Sequence, residues 1–197
     1  GEEYTLVAVA DYVLGCKPGN TVSNLSSSQA LRDVTEKHGG KYFASAVGEV
    51  HVVEMMKEVN AVIGGEGNGG VIFPELHYGR DALAGVALFL TALAKSRKKV
   101  SEIRAGLPSY FISKNKISFD PATDISSLLE KIASKYAAQD ISTIDGVRIT
   151  MEKEWIHLRR SNTEPIIRIY AESTTPDKAD ALAQKIMNEI STILNAH

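Results

Sequence analysis

The sequence predicts an α/β three-layer domain with a mostly parallel or mixed sheet, followed by an α+β domain with an antiparallel sheet and helices. Three observations carry this expectation. Strand-like and helix-like patterns alternate from Glu3 to about Arg104, as they do when crossover helices link the strands of one sheet. Gly106-Leu107-Pro108 then interrupts the rhythm. Beyond it, strand-like runs follow one another with short connections, and helical patterns flank them. The boundary is placed near residues 107–114, giving domains at 1–107 and 114–197.

The elements follow in order. Leu6, Val7, Ala10, Val13 and Leu14 recur at helical spacing and stop at Gly15, a helix terminator. Asn20 to Leu25 reads as a short strand, and Ser28 can cap the helix carrying Leu31, Val34 and Thr35, which Gly39-Gly40 ends. Lys41 to Val47 is strand-like, Glu49 to Val59 helix-like, and Ala61 to Gly64 a short buried strand. A long helix is expected from about Arg80 to Lys98, with Leu83, Val86, Ala87, Leu90 and Leu93 on one face and Asp81 in its first turn, where a carboxylate suits the helix dipole. In the second domain Tyr110 to Phe119 alternates as a strand, and Ile125, Leu128, Leu129 and Ile132 mark a helix. Ile144 to Met151, Trp155 to Arg159 and Ile166 to Ala171 read as strands. Ala179, Leu182, Ala183, Ile186, Ile190 and Ile193 mark a last helix.

Composition bounds the function. The chain has 197 residues, a net charge of −2 and 44% hydrophobic residues, an ordinary globular balance. No apolar run reaches membrane-spanning length and no basic, apolar leader is present, so no membrane partner is expected. The near-neutral charge offers no footprint for nucleic acid. Cys16 is the only cysteine, which excludes an internal disulfide and points to a cytoplasmic setting. The five histidines form no metal-binding spacing, and no metal site is expected.

Gly65-Glu66-Gly67-Asn68-Gly69-Gly70 matches G-x-G-x-x-G, the pattern of a dinucleotide cradle. Such a cradle needs a helix to open directly from the loop, because the helix N-terminus supplies amides and positive dipole to the pyrophosphate. Here Val71-Ile72-Phe73-Pro74 follows, which reads as extended, and Glu66 would repel a phosphate. The nucleotide reading fails on context. A glycine-rich loop bearing a carboxylate and an amide suits vicinal hydroxyls; a plain connection with a solvated Glu66 is the alternative.

The second candidate is Arg159-Arg160-Ser161-Asn162-Thr163-Glu164-Pro165, between two expected strands. Ser161 and Thr163 offer hydroxyls, consecutive amides in a tight turn can enclose an anion, and an arginine offers a bidentate fork for phosphate. Alternation along a strand points Arg159 and Arg160 to opposite faces, so one of them is expected to reach the ligand. The alternative is a polar hairpin turn with solvated arginines. Arg168 is expected to pair with Glu164 or Glu172.

Together GGEGNGGVIFPELHYGRDALAG and RRSNTEPIIRIYAE resemble the C-terminal half of the α-D-phosphohexomutases, the phosphoglucomutase/phosphomannomutase group that includes phosphoglucosamine mutases. TVSNLSSSQALRDVTEKHGG and SAVGEVHVVEMMKE extend the resemblance over nearly the whole chain. It implies the third domain, N-terminally incomplete, and the fourth domain of a four-domain enzyme. It also implies interconversion of hexose 1-phosphate and 6-phosphate through a glucose 1,6-bisphosphate type of intermediate, with Mg²⁺ and a phosphoserine in domains outside this chain. By resemblance Arg159, Ser161, Asn162 and Thr163 bind the phosphate that is not transferred, and Glu66 and Asn68, with Gly70, bind the sugar. Glu49 and Arg168 are further candidates for the site. A histidine that many members carry after the glutamate is replaced here by Gly69-Gly70. Ser26-Ser27-Ser28 stands where some relatives carry a lysine, and a helix cap is the role expected of it. Neither the nucleophile loop nor the aspartate metal motif is found in the sequence, so the chain is expected to be inactive alone. A stand-alone phosphosugar-binding module is the alternative.

Overall fold

The computed structural model describes residues 2–120, 123–161 and 163–195. Asn162 lies outside them. The chain divides into two compact units, Gly1–Ser109 and Tyr110–His197.

The first unit is built on a four-stranded sheet of order β2-β1-β3-β4, with β1 at Asn20–Asn24, β2 at Tyr42–Ser45, β3 at Ala61–Glu66 and β4 at Gly70–Ile72. β1 runs parallel to both β2 and β3, and β4 closes the edge antiparallel to β3, so the sheet is mixed. Alternation along β1 assigns its two faces. Val22 enters a cluster with Val52 and Met56 of α3 (Glu49–Glu58) and with Ala61 and Ile72. Thr21 points the other way, where its hydroxyl meets that of Thr35 on α2 (Ala30–Lys37) at 2.6 Å. Helices therefore cover both faces, and α1 (Glu3–Cys16) buries Leu6, Val7, Val9, Ala10 and Leu14. Ser28 does serve the start of α2, its hydroxyl accepting from the Ala30 amide at 3.2 Å.

Helix α4 (Ala82–Ser96) departs from expectation. Asp81 is its N-cap, accepting from the Ala84 amide at 2.9 Å, instead of a first-turn residue. Its packed face carries Ala84 and Gly85, while Leu83 is 82% exposed and Val86 and Leu90 also face outward. Small residues let the helix lie close to the sheet, since a Cβ on Gly85 would already touch the Val71 side chain at 3.3 Å. A short helix α5 (Val100–Ala105), absent from the sequence reading, follows; Glu102 accepts from the Lys99 amide at its start.

The second unit is a five-stranded antiparallel sheet of order β5-β9-β8-β7-β6, with β5 at Phe111–Ser118, β6 at Asp140–Ser142, β7 at Val147–Thr150, β8 at Trp155–Arg160 and β9 at Ile166–Ser173. Helices α6 (Ile125–Lys135) and α7 (Pro176–Asn195) pack on one face, burying Ile149, Ile156, Leu158, Ile167 and Ile169 against Leu128, Ile132, Ile186 and Ile190. The segment expected as one strand from Ile144 to Met151 is instead the turn and second arm of the β6–β7 hairpin. Ile144 is exposed in that turn and Gly146 adopts φ +74°. Among the described residues no helix is long and apolar enough to cross a membrane.

Candidate functional site

In open α/β sheets ligands bind beyond the carboxyl ends of the strands, at the point where the strand order reverses. Order β2-β1-β3 places that point at β1 and β3, and their last residues are Asn24 and Glu66. Glu66 lies in the strand instead of the loop, because it pairs with Gly70 across the β3–β4 hairpin. The loop itself shrinks to Gly67-Asn68-Gly69.

The Glu66 side chain is only 8% exposed, and both its oxygens are engaged. Asn24 Nδ2 donates to Oε1 at 2.9 Å, and Arg80 Nη1 lies 3.1 Å from Oε2. Asn24 Oδ1 accepts from the Ser26 amide and the Ser27 hydroxyl, and Ser27 Oγ in turn accepts from the Gly67 amide at 3.0 Å. This closes a ring of polar contacts joining the ends of β1 and β3. Glu3 completes the floor: its carboxylate accepts from the Ser28 amide and occupies the place a side chain at position 67 would need. A carboxylate offers about four acceptor positions, so Glu66 keeps capacity for hydroxyl donors.

Glu49, at the first turn of α3 after β2, also belongs to this edge of the sheet. Its two oxygens take the Arg80 amide at 2.9 Å and Arg80 Nε at 2.8 Å. The Arg80 backbone N–H, then its side chain, hold the Glu49 carboxyl below its ordinary range; Glu49 correspondingly raises the Arg80 guanidinium. Asn68 turns its carbonyl back onto the Gly70 amide at 3.1 Å. Arg80 and Asn24 were missed by sequence reasoning as site residues, and Ser27, expected only within a helix-capping run, joins Asn24 and Gly67 instead.

In the second unit the loop after β8 is tied at its base, with the Ser161 amide donating to Ile166 O at 2.9 Å and the Ile166 amide to Glu164 O at 2.8 Å. Ser161 Oγ lies 3.4 Å from both the Thr163 hydroxyl and the Thr163 amide. Arg160 lines a cavity of about 230 Å³ with Ser161, Thr163, Phe119 and Thr123. Arg159 points to the other face of the sheet, as alternation requires. There its Nε contacts both Asp145 oxygens, at 3.0 and 2.9 Å. Asp145 also accepts from His157 Nε2 through its backbone carbonyl at 2.7 Å. Arg159, Arg168 and Lys116 stand directly opposite one another across β8, β9 and β5. Like charges so placed repel, and among the described residues the ion pair expected of Arg168 with Glu164 or Glu172 is not seen. Glu172 instead accepts from Trp155 Nε1 at 2.7 Å.

Residues 2–111 match the model described as phosphoglucomutase/phosphomannomutase, alpha/beta/alpha domain III, and residues 116–189 match that of the C-terminal domain of the same family. The chain belongs to the phosphoglucomutase/phosphomannomutase family. It is 37% identical over 178 residues to a phosphoglucomutase/phosphomannomutase of Thermococcus kodakarensis, covering 89% of this chain and 39% of the relative. It is 33% identical over 175 residues to a phosphoglucosamine/phosphogalactosamine mutase of Sulfurisphaera tokodaii, covering 88% and 38%. The crystal structure of a phosphoglucomutase/phosphomannomutase family protein of Burkholderia thailandensis shares the fold, with a TM-score of 0.78 at 24% identity over 95% of this chain and 40% of that one. The chain thus spans about 40% of the length of these relatives. Among the described residues no group of three or more His, Cys, Asp or Glu could hold a metal ion. The Glu49 and Glu66 carboxylates converge on Arg80, whose guanidinium already fills the space between them and offsets one of their two charges. These residues do not fit a Mg²⁺ site.

Proposed function

We propose that this chain supplies the sugar- and phosphate-binding parts of a phosphohexomutase that interconverts hexose 1-phosphate and hexose 6-phosphate through a 1,6-bisphosphate. Glu66 accepts from ring hydroxyls, with Asn68 and Glu49 beside it. The loop Ser161, Asn162 and Thr163 supplies amides and hydroxyls to the phosphate that is not transferred. Arg159 adds its fork, oriented by Asp145, and Arg168, opposite it across the ladder, adds a second guanidinium. The nucleophile and Mg²⁺ belong to domains outside this chain, so the chain alone is inactive. Such chemistry depends on positioning and charge neutralisation.

The observation that carries this reading is the meeting of Glu66 with Asn24 at the reversal point of the sheet, in a chain that also bears the Arg159–Pro165 loop. Titration with glucose 1-phosphate and glucose 1,6-bisphosphate, followed by amide shifts, tests it. Shifts are expected at residues 61–72 and 159–168. Arg159→Ala is expected to weaken binding by about 1.5–3 kcal/mol, the usual worth of a hydrogen bond to a charged group. Unchanged affinity in that variant removes Arg159 from the phosphate site.

A further inference from the structure

Arg80 lies within the GGEGNGGVIFPELHYGRDALAG stretch but was given no site role there, yet three elements meet on it. Its guanidinium joins Glu66 at the end of β3 to Glu49 at the start of α3, and its own amide is held by Glu49. The backbone on either side is fixed as well, by the Ile72–Arg80 bridge and by the Asp81 amide donating to Val71 O at 2.9 Å. The glycine loop is shaped around this side chain: a Cβ on Gly70 would lie 2.5 Å from Arg80 Cδ and 3.2 Å from Cγ. Even alanine at position 70 would push the arginine off its course.

Two carboxylates close together repel, and one of these is nearly enclosed. Removing an ionised, enclosed carboxylate's partner is costly, and the group relieves that cost by turning toward water. A guanidinium is suited to prevent this because its rigid planar fork meets two carboxylates at set angles, which a lysine ammonium cannot do.

We propose that Arg80 is a positioning residue for sugar recognition: it binds Glu49 and Glu66 into one unit and keeps the Glu66 carboxylate aimed at the ring hydroxyls. This rests on the sugar role proposed above for Glu66. Arg80 acts through the carboxylates, so its effect falls on the sugar part of a ligand and spares the phosphate part. A Cβ at Gly70 meets Arg80 most closely and Asn68 Oδ1 at 3.0 Å as well, so positions 70 and 80 are not independent.

The test compares glucose 1-phosphate with inorganic phosphate as probes, in the unaltered chain and in Arg80→Met, Arg80→Lys, Gly70→Ala and the Arg80→Met/Gly70→Ala double variant. Arg80→Met is expected to weaken glucose 1-phosphate about tenfold, the loss of one oriented charge-assisted hydrogen bond, with inorganic phosphate unchanged. Arg80→Lys is expected to restore little of the loss, and Gly70→Ala to reproduce it without adding to it in the double variant. If Arg80→Met does not fold, Gly70→Ala and Arg80→Lys carry the same comparison. Equal losses for both probes, additive effects of the two substitutions, or full rescue by lysine overturn the proposal. If the unaltered chain itself prefers glucose 1-phosphate no more than inorganic phosphate, the sugar role of Glu66 fails and this inference with it. If that preference is present and survives in Arg80→Met, only the role of Arg80 fails.

Discussion

Lowering the pH from 6.5 to 4 should cost the second unit about 3 kcal/mol through His157 alone, and His157→Gln should remove that cost. His157 lies on β8 with 1% of its surface exposed. Burial is the main cause that pushes its pKa down to about 4, and the nearby Arg148 and Arg159 guanidinia add to it; the Asp145 carbonyl, accepting from Nε2, opposes them. Above pH 6.5 the imidazole is neutral in both the folded and unfolded chain and contributes nothing to the pH dependence. Between 6.5 and 4 the unfolded chain takes up the proton and the folded chain does not, so stability falls as pH falls. Below 4 both bind it and the loss is complete. Trp155, the only tryptophan in the sequence, is buried two residues away, so its fluorescence reports unfolding of this unit. Urea midpoints at a series of pH values, with and without the substitution, isolate the histidine from the carboxylates that also titrate. Parallel curves for the two proteins would show that His157 does not stay neutral in the fold.

Gly146→Ala should destabilise the same unit by about 3 kcal/mol or more, the sum of a left-handed backbone and an overlap that the sheet cannot relieve. Gly146 sits at φ +74°, and a Cβ there would fall on the Leu158 carbonyl oxygen and within 3.1 Å of Arg159 Cα. Gly39 provides the comparison: its φ is +77°, but a Cβ would meet nothing within 4 Å. Gly39→Ala should therefore cost only the conformational part, about 1–2 kcal/mol. The effect at position 146 also reaches the proposed phosphate site, because the neighbouring Asp145 holds Arg159 by its carboxylate and His157 by its carbonyl. Phosphate affinity should fall in Gly146→Ala and stay level in Gly39→Ala. Equal destabilisation at the two glycines would show that the turn yields to a side chain.

Much of the architecture was legible because the periodicities are strong. The alternation of Val147 and Ile149 with Arg148, and of Ile156 and Leu158 with Trp155 and His157, marks a sheet covered on one face by apolar helices. Alternation along the strand also separates Arg159 from Arg160. Three readings failed for identifiable reasons. The stripe of Leu83, Val86 and Leu90 on α4 invited burial, yet α4 packs through Ala84 and Gly85, where closeness to the sheet outweighs apolar bulk. Ile144 carried a strand reading across Asp145-Gly146, although that dipeptide is a turn signal. Arg80 was silent because its importance lies in joining residues from separate elements, which spacing along the chain does not encode.

The six positions from Gly65 to Gly70 include four glycines, a composition that suggests a floppy hook. Three of them serve contact instead: a side chain would strike the Gly70 carbonyl at position 65, the Glu3 carboxylate at 67 and Arg80 at 70. The hairpin is consequently close-packed against the Glu3 carboxylate and Arg80, and a loop packed in this way has little chain entropy to surrender on docking. Under the sugar role proposed for Glu66, ligand choice at this edge follows fit to a preset template, and occupancy should leave backbone order between positions 65 and 70 nearly the same.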